Sequence, residues 1–223
     1  MQTARTYAEA CGIPRALDRI GERWALMIVR ELLLGPKRFT DLKTGLPGAS
    51  PNVLSQRLRE LEGAGVVRRR TLPPPAASRV YELTQWGREL EPVLTAIGRW
   101  GARAPAPPEG HGMSLDAHIL SLRTLFDAGL AGDFSTSLEL RLGEHRFRAT
   151  VGDGRLEIVP GAAHSPEAIV TTDAGTLLAL AHRRRELADA LGTGDVEIDG
   201  ERRAVERFVG LFPLPEPAEP SAA

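Results

Sequence analysis

SPNVLSQRLREL, residues 50–61, carries two different faces on one helical period. Ser50 has the side-chain oxygen that accepts a hydrogen bond from the first free N–H groups of a helix, and Pro51 is pre-set for the first helical position. Leu54, Leu58 and Leu61 then recur at i, i+4 and i+7 as one apolar stripe. Asn52, Gln56 and Arg59 repeat the spacing on the opposite side, with Ser55 at the flank. Surface helices usually solvate their outer face with Glu and Lys. Amide, hydroxyl and guanidinium groups are the types that pair with base edges in a DNA major groove.

Upstream, Pro14 to Ile20 reads as a first helix with Leu17 and Ile20 inward, and Trp24 to Leu34 as a helix apolar almost all round, the centre of a small domain. Gly35-Pro36 stops it. Lys37 to Thr40 leads into a short helix with Phe39 and Leu42 inward, and Gly45 to Gly48 breaks the chain before Ser50. Helix, Gly/Pro-containing turn and second helix with a polar outer face is the helix-turn-helix pattern. Downstream, Val66 to Thr71 and Arg79 to Leu83 read as paired strands. The loop between them holds three consecutive prolines at 73–75 and cannot continue a ladder. Such a hairpin is a wing. From Leu83 a long helical segment sets Leu90, Val93, Leu94, Ile97 and Trp100 in register, with Pro92 expected to kink or divide it. It outruns what the domain needs to close its core, which suggests an intersubunit role.

The expected organisation is residues 1–104 as a winged helix-turn-helix domain, 105–112 as a Pro/Gly-rich linker, 113–212 as a second domain and 213–223 as a disordered tail. The second domain opens on an amphipathic helix, Ser114 to Ala128. Alternating strands follow at Leu138 to Leu142, Phe147 to Val151 and Leu156 to Ile158. Ala168 to Thr172 is a fourth strand, Asp173 caps a helix, and Ala204 to Phe212 closes the domain. The fold class is α+β with a mainly antiparallel second sheet.

Charge is divided along the chain. Residues 1–104 carry 17 Lys/Arg against 10 Asp/Glu, and residues 105–223 carry 11 against 19, so a total of −1 hides a basic front and an acidic back. A front half of that sign is suited to a polyanion. No apolar run approaches the roughly 18 residues of a membrane span, and the first residues lack a signal-peptide hydrophobic stretch. With one cysteine, Cys11, there is no intrachain disulfide, and a cytoplasmic setting is expected. The five histidines are scattered without metal-ligand spacing, and nucleotide-binding and nucleophile motifs are absent. No metal, cofactor or enzymatic activity is expected.

The first hundred residues resemble the HxlR family of bacterial winged-helix regulators, relatives of the MarR group. The resemblance lies in Cys11 ahead of the first helix, Ile20 to Trp24, Leu34 to Phe39, Ser50 to Leu54 and Val80 to Thr84. It implies a homodimer on double-stranded operator DNA, paired through the 84–103 helix and the N-terminal helix, with the Ser50 helix in the major groove and the wing near the minor groove. It also makes Cys11 a candidate redox sensor, against the plainer reading of a small buried hydrophobe. Residues 113–212 resemble a sterol-carrier-protein-like domain at Ala168 to Asp173, Leu177-Leu178 and Gly194 to Gly200. That implies an apolar small-molecule effector.

The residues expected to meet DNA follow. Asn52, Gln56 and Arg59 are assigned to base edges with Ser55 beside them, and Ser50 and Thr40 to phosphates. Lys37, Arg38, Arg68, Arg70 and Arg79 supply surrounding positive charge. Arg68 and Arg70 share a strand face. Arg57 has Glu60 three residues on as an alternative partner. Two other readings stay open: a lipid-binding or carrier protein whose winged domain docks a protein partner, and a ligand-independent regulator whose second domain is structural.

Overall fold

The computed structural model describes residues 6–105 and 112–218. The chain forms two compact units, Met1–Leu94 and Thr95–Ala223, and the division falls inside a helix. The segment expected to link two domains, 105–112, lies almost wholly outside the described residues.

In the first unit, α1 (Gly12–Ile20), α2 (Ala25–Leu32), α3 (Phe39–Gly45) and α4 (Pro51–Gly63) precede the hairpin β1 (Val67–Thr71) and β2 (Arg79–Leu83). The core is built from Ile28, Val29 and Leu32 of α2, Leu42 of α3, the Leu54/Leu58/Leu61 stripe of α4, and Val67 and Leu83 of the hairpin. Burying each of these larger side chains contributes about 1.5–3 kcal/mol of transfer free energy, so the stripe on α4 holds that helix firmly. Two expectations about this core are corrected. Leu17 is 42% exposed, because α1 turns Pro14 inward alongside the expected Ile20. Trp24 lies outside α2 as its N-cap residue, at a left-handed φ of 79°, so the helix is shorter than its apolar run. Glu31 is buried within α2 and takes the Arg30 guanidinium at 2.7 Å. A Cβ at Gly45 would overlap that carboxylate, so any side chain there would have to displace the Glu31 head group.

Behind the hairpin come α5 (Gln85–Arg88) and α6 (Glu91–Gly101), with Pro92 in the first turn of α6. The proline divides the segment, as its missing N–H requires. Thr84 caps α5 by accepting from the Gly87 N–H at 3.0 Å, and a side chain on Gly87 would run into the Val66 carbonyl. Leu90 and Leu94 pack on the first unit's core, while Val93, Ile97 and Trp100 of α6 are exposed, Trp100 by 77%.

The second unit contains α7 (Leu115–Leu125), α8 (Ala128–Ala131), β3 (Thr136–Leu142), β4 (His145–Gly152), β5 (Arg155–Pro160), β6 (Ala168–Thr172), α9 (Ala174–Ala181), α10 (Leu187–Gly192), β7 (Glu197–Gly200) and α11 (Arg202–Val209). Strand order is β5-β4-β3-β6-β7, antiparallel except for the central β3–β6 pair. The helices α7, α9 and α11 pack on one another or against β5 and β6, and Phe208 meets Phe212 edge-on at 5.1 Å. The expected α+β class with a mainly antiparallel sheet is what forms. The tail is not loose where it begins: the Ala218 N–H donates to the Arg103 carbonyl at 2.8 Å, and Arg103 Nε donates to the Glu216 carbonyl at 3.1 Å. Residues 219–223 lie outside the described residues. Among the described residues no helix is long and apolar enough to cross a membrane.

Candidate nucleic-acid interface

α4 starts where Ser50 Oγ accepts from the Val53 N–H at 3.3 Å. With Leu54, Leu58 and Leu61 buried, the opposite side of the helix presents Asn52, Ser55, Gln56 and Arg59. Asn52 and Arg59 are exposed and have no hydrogen-bond or ion-pair partner among the described residues. Gln56 is engaged within the helix: its Nε2 donates to Glu60 Oε1 at 3.0 Å. Arg57 is largely covered and pairs with Glu22 at 3.0 Å and with Glu60. It is a fastener between α4 and the end of α1, not part of the outer face.

α3 and its approach flank this face. The Arg38 N–H donates to Asp41 Oδ2 at 2.9 Å, which fixes the first turn, and Thr40 is exposed beside it. Lys37 is anchored by its backbone, exchanging hydrogen bonds with Tyr81 of β2 at 3.0 and 2.8 Å. This bridge adds a third extended segment to the edge of the hairpin and sets Lys37 beside the middle of β2.

In the wing, Arg68 and Arg70 project from the same face of β1, as strand alternation requires, and both turn onto Glu82 of β2. Arg68 Nε and Nη2 each lie 2.7 Å from Glu82 Oε1, and Arg70 Nε lies 3.1 Å from Oε2. Arg69, on the other face, pairs with Glu62 at 2.8 Å and lies over the Tyr81 ring, 5.3 Å from its centroid. Arg79, opposite Thr71, is exposed and has no partner among the described residues. Of the expected contact residues, Arg38, Thr40, Ser50, Asn52, Arg59 and Arg79 are exposed, and Lys37, Ser55 and Gln56 are half-buried. Arg68 and Arg70 arrive with an internal counterion. Glu82 was not a candidate, and only the strand register reveals it: Arg68 pairs with Glu82 across fourteen residues of sequence.

Cys11 is the N-cap residue of α1 and is exposed, so the reading of it as a small buried hydrophobe is corrected. Among the described residues no cluster of His, Cys, Asp and Glu is arranged to hold a metal ion.

The second unit has its own polar features. Glu139 is buried in β3, accepting from Arg141 Nε at 2.7 Å and from the Ala163 N–H at 3.0 Å. The Arg141 hydrogen bond holds its carboxyl below the usual range. Burial, with repulsion from Arg184 adding to it, lowers the His182 imidazole and favours the neutral ring. A cleft of about 490 Å³ is lined by Leu180, Leu187 and Val209 on one side of its chemistry and by Arg183, Arg202 and Glu206 on the other.

Comparison with known proteins matches the first part of the chain. The family model described as HxlR-like helix-turn-helix matches residues 19–107. The uncharacterised HTH-type transcriptional regulator YvaP of Bacillus subtilis is 42% identical over 86 residues, which are 39% of this chain and 80% of that protein. The uncharacterised HTH-type transcriptional regulator sll1512 of Synechocystis is 37% identical over 109 residues, 45% of this chain and 81% of that protein. Among solved structures, the reduced form of the transcriptional regulator YodB from B. subtilis is 32% identical and covers 43% of this chain and 94% of its own, at a TM-score of 0.39. These relatives are accounted for by less than half of the chain, and that half contains α4 and the wing. The chain belongs to the HxlR-like helix-turn-helix family.

Proposed function

We propose that this protein is a sequence-specific DNA-binding transcriptional regulator that works in the cytoplasm as a homodimer. The observation that carries the reading is the division of α4 into a buried leucine stripe and an outer face of Asn52, Ser55, Gln56 and Arg59. A helix of that make-up enters a major groove, with Asn and Gln suited to adenine and Arg to guanine. Ser50, Thr40, Lys37, Arg38 and Arg79 contact the phosphates on either side. Arg68 and Arg70 do so with the nitrogens that Glu82 leaves free.

Exposed Val93, Ile97 and Trp100 on α6, with Ile13 and Leu17 of α1 also exposed, support pairing of two copies through these helices. Two recognition helices of such a dimer read successive major grooves about 34 Å apart. An effector role for the second unit, in which an apolar small molecule alters that spacing, is the regulatory part of the reading. Native mass spectrometry reports dimer mass and any co-purified ligand together.

The test of the central reading is binding to fragments of the protein's own promoter region over a salt series. Affinity should fall with a log–log slope of about −0.9 per phosphate contacted. Binding indifferent to salt would remove the DNA reading and leave the winged unit as a protein-docking module.

A further inference from the structure

We propose that Glu82 is a positioning residue that holds the wing at reduced charge, neutralising one of the two outer-face arginines so that the DNA backbone meets one net cation there instead of two. The inference rests on the DNA-binding reading and adds to it a residue that no expectation included.

Glu82 is 4% exposed, yet its carboxylate accepts a hydrogen bond from Arg68 Nε and forms an ion pair with Arg70 at 3.1 Å. A buried carboxylate is strongly disfavoured without such partners, so Arg68 and Arg70 are not free to leave it. The contacts involve Arg68 Nε and Nη2 and Arg70 Nε. Each guanidinium has five N–H donors, so Arg68 Nη1 and both terminal nitrogens of Arg70 still have donors for a phosphate. The wing therefore keeps its capacity for hydrogen bonding while losing part of its Coulombic attraction. Counterion release follows charge and is blind to sequence, so the loss falls equally on every DNA sequence the wing meets. The outer face of α4, where bases would be read, does not include this pair. The net effect is weaker and less salt-sensitive binding on every sequence, with the preference among bases left to α4.

The experiment measures binding of the full chain to a mixed-sequence DNA duplex over a salt series, for the unaltered protein, Glu82→Gln, Arg70→Ala and the double variant Glu82→Gln/Arg70→Ala. Thermal melting of each variant is followed in parallel. Glu82→Gln should bind this duplex more tightly and steepen the log–log slope by about 0.9 per wing, so that its affinity falls about 3.5-fold more per wing than the original's across a fourfold rise in salt. Arg70→Ala should flatten the slope by a similar amount, and the double variant should return it to the original value. If Glu82→Gln changes the melting temperature but leaves the slope unmoved, Glu82 is structural and the proposal is overturned. Weaker binding by Glu82→Gln overturns it as well. If Glu82→Gln does not fold, Glu82→Thr, with a β-branched side chain suited to a strand, takes its place in the same comparison. Failure of the unaltered protein to bind the duplex is a different result, and it removes the DNA reading itself.

Discussion

α4 and β1 are both polar elements with exposed arginines, but they manage those arginines in opposite ways. α4 has two: Arg57 is locked to Glu22 and Glu60, and Arg59 stands unpaired among the described residues. β1 has three in a row, and all three are paired, two with Glu82 and one with Glu62. A count along the sequence ranks the wing as the more basic element. The pairings show that much of its surplus is cancelled, whereas the helix keeps an uncompensated cation where Asn52 and Gln56 also project. Charge that is merely abundant is therefore distinct from charge that is available, and only the latter attracts a polyanion at long range.

The largest effect is expected beneath α4. Leu58→Ala empties a fully buried site under α4 and should cost about 2–5 kcal/mol, read as a lower urea midpoint by tryptophan fluorescence. A loss under about 1 kcal/mol would mean that the leucine stripe does not hold the helix in place. Next in size is selectivity. Gln56→Ala should relax preference by about 1–3 kcal/mol at one base position per half-site, measured by binding to a set of singly substituted operators; an equal loss on every sequence would remove Gln56 as a base reader. Arg79→Ala should produce that uniform loss, with the salt slope flattened by about 0.9 per wing. A change of base preference in this variant would move Arg79 from the phosphates to a groove. The smallest effect is expected of Glu60→Ala. Glu60 itself is exposed and Arg57 keeps its pair with Glu22, so stability should change by only about 0.2–1 kcal/mol, and a calorimetric change above about 2 kcal/mol would show that α4 depends on these pairs after all.

Much of the first unit was legible because its determinants are local. The Ser50 cap, Pro51 at the first helical position and the i, i+4, i+7 leucines define α4 within twelve residues, and the structure has that cap and that stripe. The prolines at 73–75 likewise separate β1 from β2 without any knowledge of the fold. Pro92 divided its segment for the same reason. What was not legible depends on pairing over distance. Glu82 meets Arg68 only through hairpin register, Lys37 meets Tyr81 across the whole of α3 and α4, and the tail meets Arg103 from more than a hundred residues away. Trp24 misled for a different reason: its apolar character suited α2, but its left-handed backbone places it before the helix. In the second unit, the alternating strands were readable one by one. Their order, with β6 inserted parallel to β3, was not, since alternation identifies a strand but not its neighbour.

The bridge between Lys37 and Tyr81 has a consequence for how copies of this protein coexist at high concentration. A two-stranded hairpin has two unpaired edges, each a template for another chain. The bridge occupies the middle of the β2 edge with two backbone hydrogen bonds. On the β1 side, the positive charge that Glu82 and Glu62 leave uncancelled on Arg68, Arg69 and Arg70 would oppose its own copy if two wings tried to pair. One edge is blocked by backbone and the other is guarded by side chains, so the most exposed β-structure of the first unit is protected against zipping onto its neighbours.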